Sequence, residues 1–441
     1  VQYSSLYLKF TTMSMSTSIV FTALLASASA LAPLRTNGKV VKGQFIVVFK
    51  PESIKADRDA HMTAMKANAT QDPTFRLLSE WEFDQLKAYA AIMSDAILNR
   101  VRADDKVVDY LQMNHILRAP GGACTPDDNA NNPQARLKVL KTKAPPPLTH
   151  TSTLTIEATE ASCQMQVNAT WGIVRAAERT LNLNGQYSYS ASGVGVDVYV
   201  MDSGIMTSHV DFEGRAIWGE DFVDPKTYTD GCGHGTHVAG TVMSKTYGVA
   251  KGARAIAVRV LDDDGEGDQV GFLNGLAWIL GNHTNSKNKC VVNLSIGAPA
   301  VLPEINAAVV SLIQSGCSAI IASANYNIDA CDATPASTPF PAVTVNAMDR
   351  TDTHWTFSDF GKCTDIYAPG VGITSTWIRS NTDVTQKTGT SQACPHVAGV
   401  AAKMLEHSAS DPTTIAHALI NTATPNVITN VPADTPNKLI F

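Results

Sequence analysis

What most constrains this chain is a set of strands with no polar face. Between residues 194 and 325, near-continuous apolar segments alternate with helix-length ones. "VGVDVYVMD" (194–202), "ARAIAVRVL" (253–261), "KCVVNLSIG" (289–297) and "CSAIIASAN" (317–325) read as strands. "HGTHVAGTVM" (234–243), "VGFLNGLAWIL" (270–280) and "EINAAVVSLIQSG" (304–316) read as helices. A strand apolar at almost every position has both faces buried. The order βαβαβα then demands a parallel sheet covered by helices on both sides, a three-layer α/β/α unit. In such a unit ligands bind beyond the carboxyl ends of the strands.

This unit is expected over residues 164–441. Ahead of it, residues 31–119 read as a small α+β domain. "GQFIVVFK" is a strand, "DRDAHMTAMKA" a helix, and the stretch from Phe83 to Ala119 a strand, an amphipathic helix and a strand. Residues 120–163 are rich in Pro, Gly, Asn and Thr without a hydrophobic period, a linker or processing segment. Residues 13–30, "MSMSTSIVFTALLASASA", carry an apolar stretch ending in Ala28-Ser29-Ala30, the pattern of a signal peptide. A secreted, extracellular protein is therefore expected.

The rest of the composition narrows the partners. A formal charge of −6 argues against nucleic acid, and no run of eighteen apolar residues in the body of the chain suggests a membrane span. The eight cysteines include no CxxC pair and no Cys/His cluster at metal spacing, so they read as disulfides with one or more free thiols. Sequons at Asn68, Asn168 and Asn282 agree with secretion; a fourth, at Asn293, falls in an apolar strand and is not expected to carry a glycan.

Three polar residues stand at strand or helix ends. Asp202 closes "VDVYVMD", His234 opens "HGTHVAG" and Ser391 opens the helix in "GTSQACPHVAG", with Pro395 read as still within its first turn. Singly, each is adequately explained as a strand-end carboxylate, a helix-terminal histidine or a cap. Together, with glycine and alanine clearing space around them, they make a nucleophile, a general base and an orienting carboxylate. Gly193-x-Gly195 hints at dinucleotide binding, but these glycines precede the strand and supply no phosphate-binding turn.

The segments "VMDSGI", "GHGTHVAGT" and "GTSQACPHVAG" resemble the three signature blocks of the subtilisin-like serine peptidases, in the Asp, His, Ser order of that family. "TYGVAKGARAIAVRVLDDDGEG" and "FSDFGKCTDIYAPG" are closest to its proteinase K branch, and residues 44–119 resemble its inhibitory propeptide. The resemblance implies a secreted serine endopeptidase made as a zymogen, with Asp202, His234 and Ser391 as the triad. Asn325 would be an oxyanion donor alongside the Ser391 N–H. Ser295, Ile296 and Gly297 would line one wall of a cleft for extended polypeptides, Gly265 the other, and Ala324 the primary specificity pocket. The N-terminal unit would act as intramolecular inhibitor and folding assistant to a monomeric enzyme. No cofactor is implied for catalysis; a structural calcium is, with Asp365 as one ligand and carbonyls from residues 339–342.

Two positions depart from the family pattern. Gln392 replaces a methionine after the nucleophile, and Ala324 replaces a glycine before the oxyanion asparagine, which is expected to favour small or medium P1 side chains. The second reading of these changes is a catalytically impaired binding protein with the same fold. Among the cysteines, Cys331–Cys363 is implied by relatives. Cys290 and Cys317, each opening a strand, could be bridged if those strands are neighbours. Cys232 and Cys394 are expected to be free, with Cys394 a target for mercurials.

Overall fold

The computed structural model describes residues 31–36, 38–68, 72–119, 124, 163–407 and 411–441. The expected signal peptide lies outside them, as does the expected linker apart from Cys124 and Cys163.

The N-terminal unit runs β1 (Val40–Phe49), α1 (Lys55–Asn68), β2 (Arg76–Glu82), β3 (Lys87–Ile92), α2 (Asp95–Ala103) and β4 (Val108–Arg118). Its sheet runs β4-β1-β3-β2 with each of these pairs antiparallel, and the short strand Leu34–Arg35 adds to β4 in parallel. Alternate residues of β1 face opposite ways. Phe45, Val47 and Phe49 join Met62, Ile97, Leu98 and Val101 in one core. Ile46 and Val48 instead enter a core shared with the second unit. Ser94 starts α2 by accepting a hydrogen bond from the Ile97 N–H, and Arg100 and Arg102 suit its carboxyl end. The strand expected from Phe83 begins elsewhere. Residues 83–86 form the turn of a hairpin, closed by Phe83 N–H to Leu86 O at 2.8 Å, between β2 and β3. In β2 only Trp81 is buried, so no apolar run marks it.

The second unit continues with β5 (Gln164–Val167), α3 (Trp171–Arg175), β6 (Gln186–Tyr189), β7 (Val196–Asp202), β8 (Ala216–Asp221), α4 (His234–Met243), β9 (Arg254–Arg259), β10 (Glu266–Asp268) and α5 (Gln269–Thr284). Then come β11 (Lys289–Leu294), α6 (Pro303–Gln314), β12 (Cys317–Ala322), β13 (Val343–Met348), β14 (Ile366–Pro369), β15 (Ile373–Thr376), β16 (Val384–Lys387), α7 (Thr390–His407) and α8 (Pro412–Thr422). The central sheet is ordered β14-β13-β12-β11-β7-β9-β8, with every one of these pairs parallel. Val198 and Val200 of β7 pack with Val238 and Val242 of α4 and Ala398 and Ala401 of α7 on one face. Tyr199 and Met201 pack with Leu276 and Ile279 of α5 and Ile305 and Leu312 of α6 on the other. This is the expected three-layer arrangement. From β7 the chain proceeds to β8 and β9 on one side, then to β11 on the other, so the carboxyl ends of β7 and β11 flank the switch point.

The two units meet along a strand and a face. Strand β10 pairs antiparallel with β4, matching Glu266 to Arg118 and Asp268 to Ile116. Behind it, Trp81 donates its indole N–H to Asn274 Oδ1 at 2.8 Å, and the Tyr110 hydroxyl donates to Glu304 Oε2 at 3.1 Å.

The disulfides follow the sequence reading in two cases. Cys331–Cys363 forms, and Cys290–Cys317 joins register partners at the starts of β11 and β12. Cys232 corrects it: it is bridged to Cys124, 108 residues earlier. Among the described residues the free thiols are the exposed Cys163 and the buried Cys394.

Candidate active site

Strand β7 is buried along its whole length and delivers Asp202 to the switch point. The carboxylate accepts the Ser203 N–H at 2.7 Å, and its two oxygens lie 2.8 and 3.0 Å from His234 Nδ1. An ionised carboxylate only accepts, so Nδ1 carries the proton and Nε2 is left as the acceptor. Nε2 is buried and has no partner among the described residues.

Asp230 fastens this histidine to its strand. One of its oxygens accepts the Gly233 N–H at 2.7 Å and the Ser203 hydroxyl at 2.9 Å; the other accepts the Thr236 N–H at 2.9 Å and hydroxyl at 2.6 Å. The Ser203 hydroxyl oxygen in turn accepts the Gly235 N–H at 3.0 Å. These bonds satisfy three of the orphan donors at the start of α4, the N–H groups of Gly233, Gly235 and Thr236, and burial pushes the Asp230 carboxyl upward against them. The sequence reading missed Asp230; an acidic residue just ahead of a helix was the available signal.

Ser391 is the second residue of α7, and Pro395 the sixth, so the proline lies beyond the first turn where it was expected. Lacking an N–H, it leaves the Ser391 carbonyl without its helical donor. The Ser295 hydroxyl fills that role at 3.0 Å, and the Ser391 hydroxyl donates back to the Ser295 carbonyl at 3.3 Å. Asn293, buried in β11, holds the Ser295 hydroxyl from behind through its Nδ2 at 2.9 Å. Asn293 was read only as an unusable sequon.

Asn325 lies three residues beyond the end of β12. Its Oδ1 accepts both the N–H and the hydroxyl of Thr390, at 2.9 and 2.8 Å. That fixes the amide's orientation and leaves Nδ2, buried and without a partner among the described residues, as the outward donor. A Cβ at Gly389 would sit 2.9 Å from Nδ2, so the glycine keeps this space open. Gln392, one residue past Ser391, is also buried with its Nε2 lacking a partner among the described residues. Thr390, which positions Asn325, went unnoticed in the sequence because its role depends on a residue 65 positions away.

The expected cleft walls hold a strand of this chain. Arg118 and Gly297 exchange both backbone hydrogen bonds, at 3.1 and 2.9 Å, and the Ala119 N–H donates to Gly265 O at 3.1 Å. Ile296 is buried between Ser295 and Gly297 in sequence. Ala324 has φ +84°, and its methyl lies 3.6 Å from where a Cβ on Gly297 would be.

Cys394 faces the sheet. Its Sγ donates to Ile320 O of β12 at 3.3 Å, and burial pushes the thiol well above its usual range. It is a core group, which removes the basis for expecting mercurials to reach it. Asp365 accepts the Thr344 N–H at 2.8 Å, and burial pushes its carboxyl up to about 6. It has no ion pair, and no cluster of three His, Cys, Asp or Glu occurs, among the described residues. A half-buried carboxylate with no ion pair among the described residues fits a hard cation whose other ligands are carbonyl oxygens.

Known proteins match this arrangement. The sequence model of the subtilase family, Peptidase S8, matches residues 193–438. An extracellular serine proteinase of Thermus sp. (strain Rt41A) is 43% identical over 279 residues, covering 63% of this chain and 67% of that protein. A cuticle-degrading serine protease of Arthrobotrys oligospora is 39% identical over 285 residues, covering 63% and 68%. The crystal structure of a cold adapted subtilisin-like serine proteinase superposes with a TM-score of 0.59 at 38% identity, covering 62% of this chain and 98% of that one.

Proposed function

The chain belongs to the subtilase family and is a serine-type endopeptidase, and from that premise we propose that Asp202, His234 and Ser391 are its triad. In this reading the Ser391 hydroxyl attacks the scissile carbonyl, and His234 Nε2 takes its proton and later passes it to the leaving amine. Asp202 holds the imidazole tautomer and stabilises the imidazolium. The carrying observation is the Asp202–His234 pair, which leaves a buried, unpartnered Nε2 as the base. Asn325 Nδ2 and the Ser391 N–H serve as oxyanion donors. Polypeptide substrates bind as an extended strand between Gly265 and Gly297, in the way residues 118–119 do. A substrate N–H that takes the Ser295 carbonyl would displace the Ser391 hydroxyl toward His234. A phosphonofluoridate is expected to add one adduct to Ser391 and none to the Ser391→Ala protein; labelling elsewhere, or none, would sink the assignment.

The N-terminal unit, residues 31–119, acts as an intramolecular inhibitor and folding assistant, a role supported by the strand it lays along the cleft. The enzyme is secreted as a zymogen and works as a monomer, with processing between residues 119 and 164. Three disulfides and the name of the Thermus relative support export. Asp365 and carbonyls of residues 339–342 would hold a calcium ion that braces the loop before β13. Chelation is expected to lower the melting temperature of the wild type and leave that of Asp365→Asn unmoved; equal shifts would rule the site out.

Ala324 sets the size of the P1 pocket. A non-glycine residue at φ +84° costs about 1–2 kcal/mol. Ala324→Gly is therefore expected to raise stability by about 1 kcal/mol in chemical denaturation. The same change should increase turnover of a P1 Phe peptide relative to P1 Ala. A wild type that already prefers Phe over Ala and Leu would refute the narrowing.

A further inference from the structure

The Cys124–Cys232 disulfide lies on the cleft itself. Cys232 is two residues before His234 and is almost wholly buried. At Gly265, the outer wall that takes the Ala119 N–H, a Cβ would lie 3.1 Å from Cys124 Sγ, 3.6 Å from Cys232 Sγ and 3.8 Å from the Ala119 methyl. The bridge thus covers the Cα face of the residue whose carbonyl a substrate strand needs, beside the strand that already occupies that wall.

The connectivity has a consequence for activation. A peptide bond cut between Ala119 and Cys124 leaves Cys124 on the downstream piece, and a cut between Cys124 and Cys163 leaves it on the upstream piece. After the first cut residues 31–119 hold the cleft only non-covalently; after the second they stay covalently attached two residues from His234, because hydrolysis does not touch a sulfur–sulfur bond. We propose that this disulfide is a redox latch: when the chain is cut downstream of Cys124, hydrolysis alone does not release residues 118–119 from the cleft, and a dithiol must open the bridge. A thiolate of the dithiol attacks one sulfur of the bridge, displacing the other cysteine as a thiolate that takes up a proton. The second thiol of the reagent then attacks the mixed disulfide. Cys124 and Cys232 end as thiols, and the dithiol ends as its own cyclic disulfide, two electrons and two protons having passed to the protein.

The latch rests on the peptidase reading only for its activity readout. The test uses the full chain, wild type and Cys124→Ala, cut with trypsin, for which Arg136, Lys138, Lys141 and Lys143 lie between Cys124 and Cys163. On a denaturing gel without reductant, the wild-type pieces are expected to run as one species and to separate after dithiothreitol. The Cys124→Ala pieces should separate without it. Turnover of an extended peptide by oxidised, cut wild type should rise by about tenfold or more with dithiothreitol, to the level Cys124→Ala shows without reductant. The variant guards against effects of reducing Cys290–Cys317 or Cys331–Cys363. Wild-type pieces that separate without reductant, or oxidised wild type as active as Cys124→Ala, would overturn the latch. If Ser391 takes up no phosphonofluoridate in either protein, the peptidase mechanism fails, and the gel alone decides the latch.

Discussion

Replacing Ser391 with alanine is expected to lower kcat by about 10⁶-fold, the scale known for the nucleophile of a subtilisin. His234→Ala should cost about as much, and the double variant little more than either, because nucleophile and base act as one unit. The geometry says why the loss should not be one of folding. The Ser391 side chain contributes a bond of 3.3 Å to the Ser295 carbonyl, whereas the bond that substitutes for the missing Pro395 N–H runs from Ser295 to the Ser391 backbone and survives in alanine. Losing one such hydroxyl bond costs about 1 kcal/mol. A denaturation midpoint near that of the wild type, together with turnover at background, is the expected pair of results. Retention of more than about one hundredth of wild-type turnover by either single variant would be incompatible with a unit of this kind.

Much of this site was legible because its parts sit at the ends of unambiguous elements. Strand β7 is apolar on both faces, so a polar residue at its end, Asp202, had to be doing something other than filling the core. The helices of small residues after His234 and around Ser391 allow close backbone approach, which the sequence states directly. The supporting groups were harder to read, because each belongs to a network that closes only through a residue distant in the chain. Asp230 acts on Ser203 and the start of α4, Thr390 on Asn325, and Asn293 on Ser295, which answers for a proline at 395. Cys232 was misjudged for the same reason. Its partner lies 108 residues upstream in a stretch with no hydrophobic period, and only the docking of β4 beside β10 brings the two sulfurs together. Strand β2 went unread because, at the edge of a sheet, it buries only Trp81 fully. The periodicity that identifies a buried strand carries no information about one that is not.

Asn325 allows the sharpest separation of binding from chemistry. Its Oδ1 is committed to Thr390, so the structural part of the side chain and the catalytic part are different atoms. In Asn325→Ala both are lost. Turnover should fall by about 10²–10³-fold, as known for the oxyanion asparagine of a subtilisin, with KM little changed. On the proposed reading the donor acts on charge that develops only after attack, and the ground-state peptide is held at Gly265 and Gly297, where residues 118–119 pair. Thr390→Val then tests the positioning. It removes one of the two bonds to Oδ1 while keeping the Thr390 N–H and the Asn325 donor, so a smaller loss confined to kcat is expected. Should Asn325→Ala raise KM and leave kcat intact, the side chain would be part of the substrate wall and the oxyanion would have to be held elsewhere. Should the two losses be equal, the Thr390 hydroxyl would be fixing the amide outright, and Nδ2 would count for nothing unless aimed by it.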